Sequence, residues 1–285
     1  AVTYAARQAS AIVEDDDALG TITGTPDADR LVGDAGSNLL FGLEDNDTLQ
    51  GRAGDDQLLG SSGDDVLDGG AGADFIDGGD GFDIVSYESA TRRVMVDLTT
   101  DAFDLGDAVG DTFFNVEAFQ TGVGPDQLRG DGDANIFSTG GVSDRLYGRA
   151  GDDTLNGEDG ADALYGGLGA DVMTGGAQAG RTDRYIYFNI VESGVGAGNR
   201  DIVTDFIAGE DRIEISRFDA DVTQGFKQRF TFVGDAAFSG TPGELGYRQE
   251  GGNTIVQADT DGDSVADFEI ELTGLMDLSA GDFLI

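Results

Sequence analysis

Gly60 to Ser86 reads GSSGDDVLD, GGAGADFID, GGDGFDIVS, three nine-residue units in register. The phase extends backwards through GTPDADRLV, GDAGSNLLF, GLEDNDTLQ and GRAGDDQLL to Gly24. It returns at residues 121–174 as TGVGPDQLR, GDGDANIFS, TGGVSDRLY, GRAGDDTLN, GEDGADALY and GGLGADVMT. Glycine favours the first, second and fourth places, Asp or Asn holds the sixth, and a large apolar residue holds the eighth. Six places rich in Gly and Asp cannot build a helix or a long strand, because Gly opens positive φ and Asp favours turns. The last three places form a short strand with one side chain inward. Two units thus give turn, strand, turn, strand, which is one coil of a right-handed solenoid.

The inward ladders are Leu31, Leu40, Leu49, Leu58, Leu67, Ile76 and Val85, then Leu128, Phe137, Leu146, Leu155, Leu164 and Met173. Two such residues per coil make a thin core, too small to hold the fold unaided. Sixth-place carboxylates eighteen residues apart stack at about 4.8 Å, the strand spacing. Two bare charges at that distance repel by about 1 kcal/mol in water and about 3–4 kcal/mol at an effective dielectric near 20. A divalent cation reverses the sign. Ca2+ takes six to eight oxygens in flexible geometry, and glycine turns expose backbone carbonyls to complete the shell. Zinc and copper favour His or Cys, and the chain has neither. Mg2+ demands a tighter octahedron than such turns supply.

The candidate ligands are Asp29, Asp47, Asp65 and Asp83 on one side of the first array, and Asn38, Asp56 and Asp74 on the other. The second array offers Asp126, Asp144 and Asp162, with Asn135, Asp153 and Asp171 opposite, and Asp183 after a three-residue insertion. Same-side intervals amount to about ten Ca2+ ions. The pattern G-G-x-G-x-D-x-U-x resembles the calcium-binding nonapeptide of RTX (repeats-in-toxin) proteins, and the resemblance implies an all-β fold: a parallel β-roll in two arrays. The alternative, an acidic Gly/Asp linker, does not account for thirteen units in phase with an apolar eighth residue.

Composition points the same way. The chain has 44 Asp against 12 Glu, and a formal net charge of −40 over 285 residues with a single lysine, Lys227. Such a chain repels nucleic acid and anionic membranes. About ten Ca2+ cancel roughly half of that charge. Without cysteine there are no disulfides, so cross-links fall to metal ions. No run approaches the roughly eighteen apolar residues of a membrane span. Residues 1–23 form an N-terminal tail or cap without the basic and apolar regions of a signal peptide, and the missing initiator Met suggests an upstream segment.

The first array spans 24–86 and the second 121–183, with a structural connector at 87–120. In the connector, Phe113, Val116 and Phe119 are placed to cover the end of the first roll. A ligand loop is the other reading, without a specific signal. Residues 184–285 change to longer alternating strands such as RYIYF, DRIEIS, NTIVQA and FEIELTG, which predict an antiparallel β-rich cap over the last coil.

ESGVGAGNRDIVTDFIAGEDRIEIS, AFSGTPGELGY, QADTDGDSVADFEIELTG and the terminal DFLI resemble the C-terminal domain of serralysin-type zinc proteases. With the repeats, the resemblance covers residues 24–285. It implies a β-roll followed by a β-sandwich-like segment, with an uncleaved type I secretion signal at Asp282, Phe283, Leu284 and Ile285. Export through a type I secretion exporter of a Gram-negative bacterium, to the medium or cell surface, follows from the same likeness. The catalytic part does not: serralysins hold zinc on H-E-x-x-H, and this chain has no histidine. Neither a G-x-S-x-G elbow nor a triad is present, so the chain reads as non-enzymatic.

Asp259, Asp261, Asp263 and Asp267 in DTDGDSVAD admit two readings. One is an EF-hand-like calcium loop, with its Gly at the fourth place and Ile270 at the twelfth; the other is a polar hairpin turn. Two functional classes remain open. One is a calcium-dependent folding and export module, including the C-terminal part of a secreted hydrolase. The other is an extracellular structural protein of a surface layer, matrix or filament, with self-assembly or surface partners.

Overall fold

The computed structural model describes residues 12–14, 20–100, 102, 104–176 and 180–285. Most of the N-terminal tail at 1–23 therefore lies outside the described residues. The chain divides into two compact units, residues 1–128 with 136–140, and residues 129–135 with 141–285. Among the described residues every regular element is a strand or a three-residue 3-10 turn, and no helix is long and apolar enough to cross a membrane.

In the first unit, one parallel sheet runs β1 (Ile12–Glu14), β3 (Arg30–Val32), β5 (Thr48–Ala53), β7 (Val66–Ala71), β9 (Ile84–Tyr87), β12 (Ala118–Thr121) and β14 (Ile136–Ser138). A second runs β2 (Thr21–Thr23), β4 (Leu39–Glu44), β6 (Gln57–Ser62), β8 (Phe75–Asp80) and β11 (Thr112–Phe114). Consecutive repeat strands alternate between the sheets, so paired strands lie eighteen residues apart, as in Leu49 against Leu67 and Leu40 against Leu58. The eighth-place residues are all inside: Leu31, Leu40, Leu49, Leu58, Leu67, Ile76 and Val85 are 0% exposed. The tripeptide strand at the end of each nonamer explains this, since its middle side chain alone faces inward.

The connector is itself coiled. Phe113 pairs beyond Ile76 and Phe119 beyond Val85, so both extend the ladders instead of plugging an end. Their rings meet edge to face at 5.0 Å. The insert that precedes them carries β10 (Met95–Asp97), which lies beside β13 (Gln127–Arg129). It breaks the nine-residue period without breaking the coil.

In the second unit one ladder passes through β15 (Arg145–Ala150), β17 (Ala163–Leu168), β19 (Arg184–Ile186), β21 (Arg212–Glu214) and β26 (Phe283–Leu284). It stacks Leu146, Leu164, Tyr185, Ile213 and Phe283 in register. The other passes through β16 (Thr154–Asn156), β18 (Val172–Thr174), β20 (Asp201–Val203) and β25 (Phe268–Leu272), stacking Leu155, Met173, Val203 and Leu272. Parallel coiling thus persists well past residue 183. Among the described residues of this unit, antiparallel strand pairing is confined to β23 (Glu244–Glu250), β24 (Asn253–Asp259) and β25, with β22 (Thr231–Gly234) added parallel at the edge. The hairpin between β23 and β24 turns on Gly251 and Gly252, both at positive φ, which only a residue without a β-carbon adopts freely.

Candidate metal sites

Most sixth-place side chains do the same thing: Oδ1 accepts the backbone N–H of the sixth-place residue one coil earlier. Asp29 N donates to Asp47 at 2.7 Å, Asp47 N to Asp65 at 2.7 Å, and Asp65 N to Asp83 at 2.8 Å. Across the coil, Asn38 N donates to Asp56 at 2.6 Å and Asp56 N to Asp74 at 2.8 Å. The second unit repeats this with Asn135 to Asp153, Asp153 to Asp171, Asp144 to Asp162 and Asp162 to Asp183. Asp126 accepts from Val94 N at 2.7 Å. The structure therefore brings the carboxylates into files along the turn edges.

One oxygen per carboxylate is left over. Oδ2 of Asp47, Asp56, Asp65, Asp74, Asp83, Asp153, Asp162 and Asp171 is buried without a hydrogen-bond partner. Burying such an oxygen unpaired is costly, and more so when it is charged. Burial accordingly pushes Asp47 and Asp74 up to about 6, Asp56 and Asp153 to about 7, and Asp162 to about 8. Neighbouring carboxylates push the same way, and the hydrogen bond from the backbone N–H opposes them.

What those oxygens face is a cradle lined by carbonyls. A β-carbon placed on Gly157 would lie 2.7 Å from Asp162 Oδ2 and 2.9 Å from the Gly175 carbonyl oxygen one coil on. One on Gly60 would lie 2.5 Å from the Gly78 carbonyl and also collide with Asp65 Oδ2. In these units the first place must therefore be glycine, because oxygen from two coils converges where a side chain would begin; Thr121 and Thr139 hold that place in two units of the second array. In most units the second place takes left-handed backbone, even at Leu43 (φ 99°), Arg52 (φ 84°) and Ser61 (φ 87°). That conformation costs a non-glycine residue roughly 1–2 kcal/mol. An all-oxygen lining of carboxylate and carbonyl, without nitrogen or sulfur, fits a hard cation such as Ca2+.

A match to the family model of the RTX calcium-binding nonapeptide repeat covers residues 23–58, 50–85, 117–146, 138–173 and 147–180. Its two arrays are RTX nonapeptide repeats. RTX nonapeptides bind calcium, and the match falls on the residues that build the cradles. No curated protein matches the chain. Among solved structures, the AlgE6R3 subunit of the Azotobacter vinelandii mannuronan C5-epimerase aligns at 24% identity, over 54% of this chain and 80% of that one, with a TM-score of 0.38. The extracellular lipase LipA from Serratia marcescens aligns at 16% identity over 90% of this chain, with a TM-score of 0.34. This chain spans only 40% of the lipase's length. The family assignment rests on the repeats and not on these superpositions.

Three expected ligands head their files and are already occupied. Asp29 Oδ2 accepts from Thr25 N and from Thr25 Oγ1 at 2.8 Å. Asn38 Oδ1 accepts from Asp34 N at 2.8 Å, and Asn135 Oδ1 from Asp131 N at 3.1 Å. In the DTDGDSVAD loop, carboxylate oxygens of Asp259, Asp261 and Asp267 lie within 4.8 Å of one another. Asp263 turns away to accept from Val265 N at 2.8 Å. Asp259 accepts from Gly262 N and Ser264 N, and Asp267 from Thr260, so the loop is also a self-bonded turn.

Four members of the files lie outside the nonamers. Asp111 accepts from Asp74 N at 2.9 Å, Glu117 from Asp83 N at 2.8 Å, Asp201 from Asp171 N at 3.0 Å and Asp211 from Asp183 N at 3.0 Å. The period hides them, but a shorter signal does not: each is an acid two residues before an inward ladder residue, Phe113, Phe119, Val203 or Ile213.

Proposed function

We propose that this chain is an extracellular calcium-binding module, without a catalytic role of its own, that folds when Ca2+ meets it after type I secretion. The observation that carries the reading is the file of buried Oδ2 atoms without hydrogen-bond partners, with a carbonyl of the next coil converging on those of Asp47, Asp56, Asp65, Asp83, Asp153 and Asp162. Asp47, Asp65 and Asp83, Asp56 and Asp74, and Asp153, Asp162 and Asp171 would hold the ions together with glycine-turn carbonyls. Bound calcium supplies positive charge between like-charged coils, and the protein's own residues fix where it sits.

Cytosol poor in free calcium would leave the −40 chain repelling itself and open for export. Supporting that order of events, the terminal DFLI is taken up by the fold. Asp282 is 1% exposed and accepts from Gly209 N and Ser279 N, and Phe283 sits in the inward ladder against Ile213. An exporter that reads these residues must read them before folding.

The test is a calcium titration of the chelator-treated chain, followed by circular dichroism. Asp65→Asn should move the midpoint to higher calcium, by about tenfold. Asp277→Asn, which removes the same charge from an exposed site, should leave it in place. Equal shifts would mean that bulk charge and not coordination governs the transition.

A further inference from the structure

The two carboxylate files of the first unit run on into the connector and differ there. On one side Asp74 N donates to Asp111 Oδ1, and the Tyr87 hydroxyl donates to Asp111 Oδ2 at 2.7 Å. Both Asp111 oxygens are thus satisfied by neutral donors, and Tyr87 is 1% exposed. That file is closed by a tyrosine.

In the other file the last carboxylate from a nonamer of the first array is Asp83. This residue is 0% exposed, and its Oδ2 is buried without a hydrogen-bond partner. A β-carbon on Gly78 would lie 2.5 Å from Asp83 Oδ2 and collide with the carbonyl oxygen of Asn115. At the regular rung below, the same arrangement joins Gly60, Asp65 Oδ2 and the Gly78 carbonyl. Asn115 therefore stands where a nonamer would place its first glycine. Its backbone is left-handed, φ 49°, as the turn there requires, and its side chain is tied to Asp77 Oδ1 at 2.8 Å. Two residues on, Glu117 Oε2 takes the Asp83 N–H at 2.8 Å, as most sixth-place Asp side chains take the N–H of the coil before them. Phe119 then completes the rung in register with Val85. Sequence matching stops at residue 85 and resumes at 117, so Asn115 belongs to no assigned repeat and Glu117 opens the second matched block.

We propose that Asp83, the Asn115 carbonyl and Glu117 form one more calcium site, beyond those that pairs of nonamers supply. It rests on the reading that sixth-place carboxylates hold calcium. The site takes a hard divalent cation, in a cradle built half from repeat and half from connector. It ties the segment that breaks the period to the last regular coil. The tyrosine-closed file opposite takes no ion at Asp111.

Calcium bound per full-length chain, counted by native mass spectrometry after chelation and reloading, tests this. Glu117→Gln should carry one ion fewer than the unaltered chain, and Glu88→Gln, an equal charge change on the same connector, should carry the full number. Equal counts for Glu117→Gln and the unaltered chain, or the same loss in Glu88→Gln, would overturn the site. Failure of the underlying reading looks different: the unaltered chain would load no calcium, or Asp65→Asn would keep its full number. A measurement without a variant guards against a Glu117→Gln chain that does not fold. Exchange of calcium for lanthanum in the folded chain should shift the carboxyl-carbon resonance of Glu117 and leave that of Glu88 still. A motionless Glu117 resonance would overturn the proposal.

Discussion

The RTX repeats and the C-terminal strands both bury carboxylates, and they neutralise them by opposite means. In the repeats, Asp65 and Asp162 are 0% exposed and keep one oxygen without a partner from the protein. Among the C-terminal strands, Glu269 is equally hidden, yet Arg200 and Arg248 reach it at 2.9 and 2.5 Å, Gly196 N donates to it, and Arg200 also binds Glu271 at 2.7 Å. Burial pushes Glu269 up, but those donors outweigh it and hold its carboxyl below the ordinary range. Asp65 and Asp162 are driven the other way, chiefly by burial. The lesson is that one part of the chain carries its counter-charges in its sequence, while the other leaves them to the solution.

The sharpest way to break this comparison is to remove calcium and follow amide hydrogen exchange. Protection should collapse across residues 24–86 and 121–174 and persist in β23, β24 and β25, where antiparallel pairing and the arginines are internal. Uniform loss or uniform retention would erase the distinction.

Acid should substitute for calcium in part. In the fold Asp47, Asp56, Asp74, Asp153 and Asp162 are raised from 3.8 to between about 6 and about 8. For such groups the stabilising contribution is complete below the unfolded value and disappears as pH rises through the folded values. In chelator, β-structure of the repeats should therefore grow as pH falls from about 8 to about 4, the window those shifts set. Over the same interval calcium affinity should fall, because protons compete for the same oxygens. Circular dichroism at several pH values, with and without chelator, reads both.

Arg200→Met strikes the other side. It leaves Glu269 and Glu271 short of a partner and should cost about 3 kcal/mol, seen as a lower melting temperature even at saturating calcium. A loss that vanishes at high calcium would mean that the two regions are not independently neutralised. Smaller still, Gly60→Ala sets a methyl among the cradle oxygens and should cost about 1–3 kcal/mol. Gly132→Ala, with open space around its site, should change little. Equal melting points for the two would remove the steric reason for glycine at the first place.

Much of the site was legible in the primary structure. The spacing of Leu49 and Leu67, or of Asp47 and Asp65, places them one coil apart without further information. The connector was less legible, because an insert outside the nine-residue period conceals which coil Phe113 and Phe119 join. The antiparallel character expected beyond residue 183 was too broad. Alternation of apolar and polar residues marks a strand but not its partner, and Val203, Ile213 and Phe283 pair parallel to the coil before them.

By itself the sequence determined the coil, its inward ladders and the oxygen chemistry of its turns, because a nine-residue period converts directly into position when each unit repeats one backbone path. Tertiary structure alone decided where the files of carboxylates end. Tyr87 and Asp111 lie 24 residues apart, and Asp83 and Glu117 lie 34 apart. Nothing in the local pattern says that a hydroxyl will close the file at Asp111, or which coil Glu117 will join. Those outcomes depend on which residues the insert returns to the turn edge, and only the folded path of the insert fixes that.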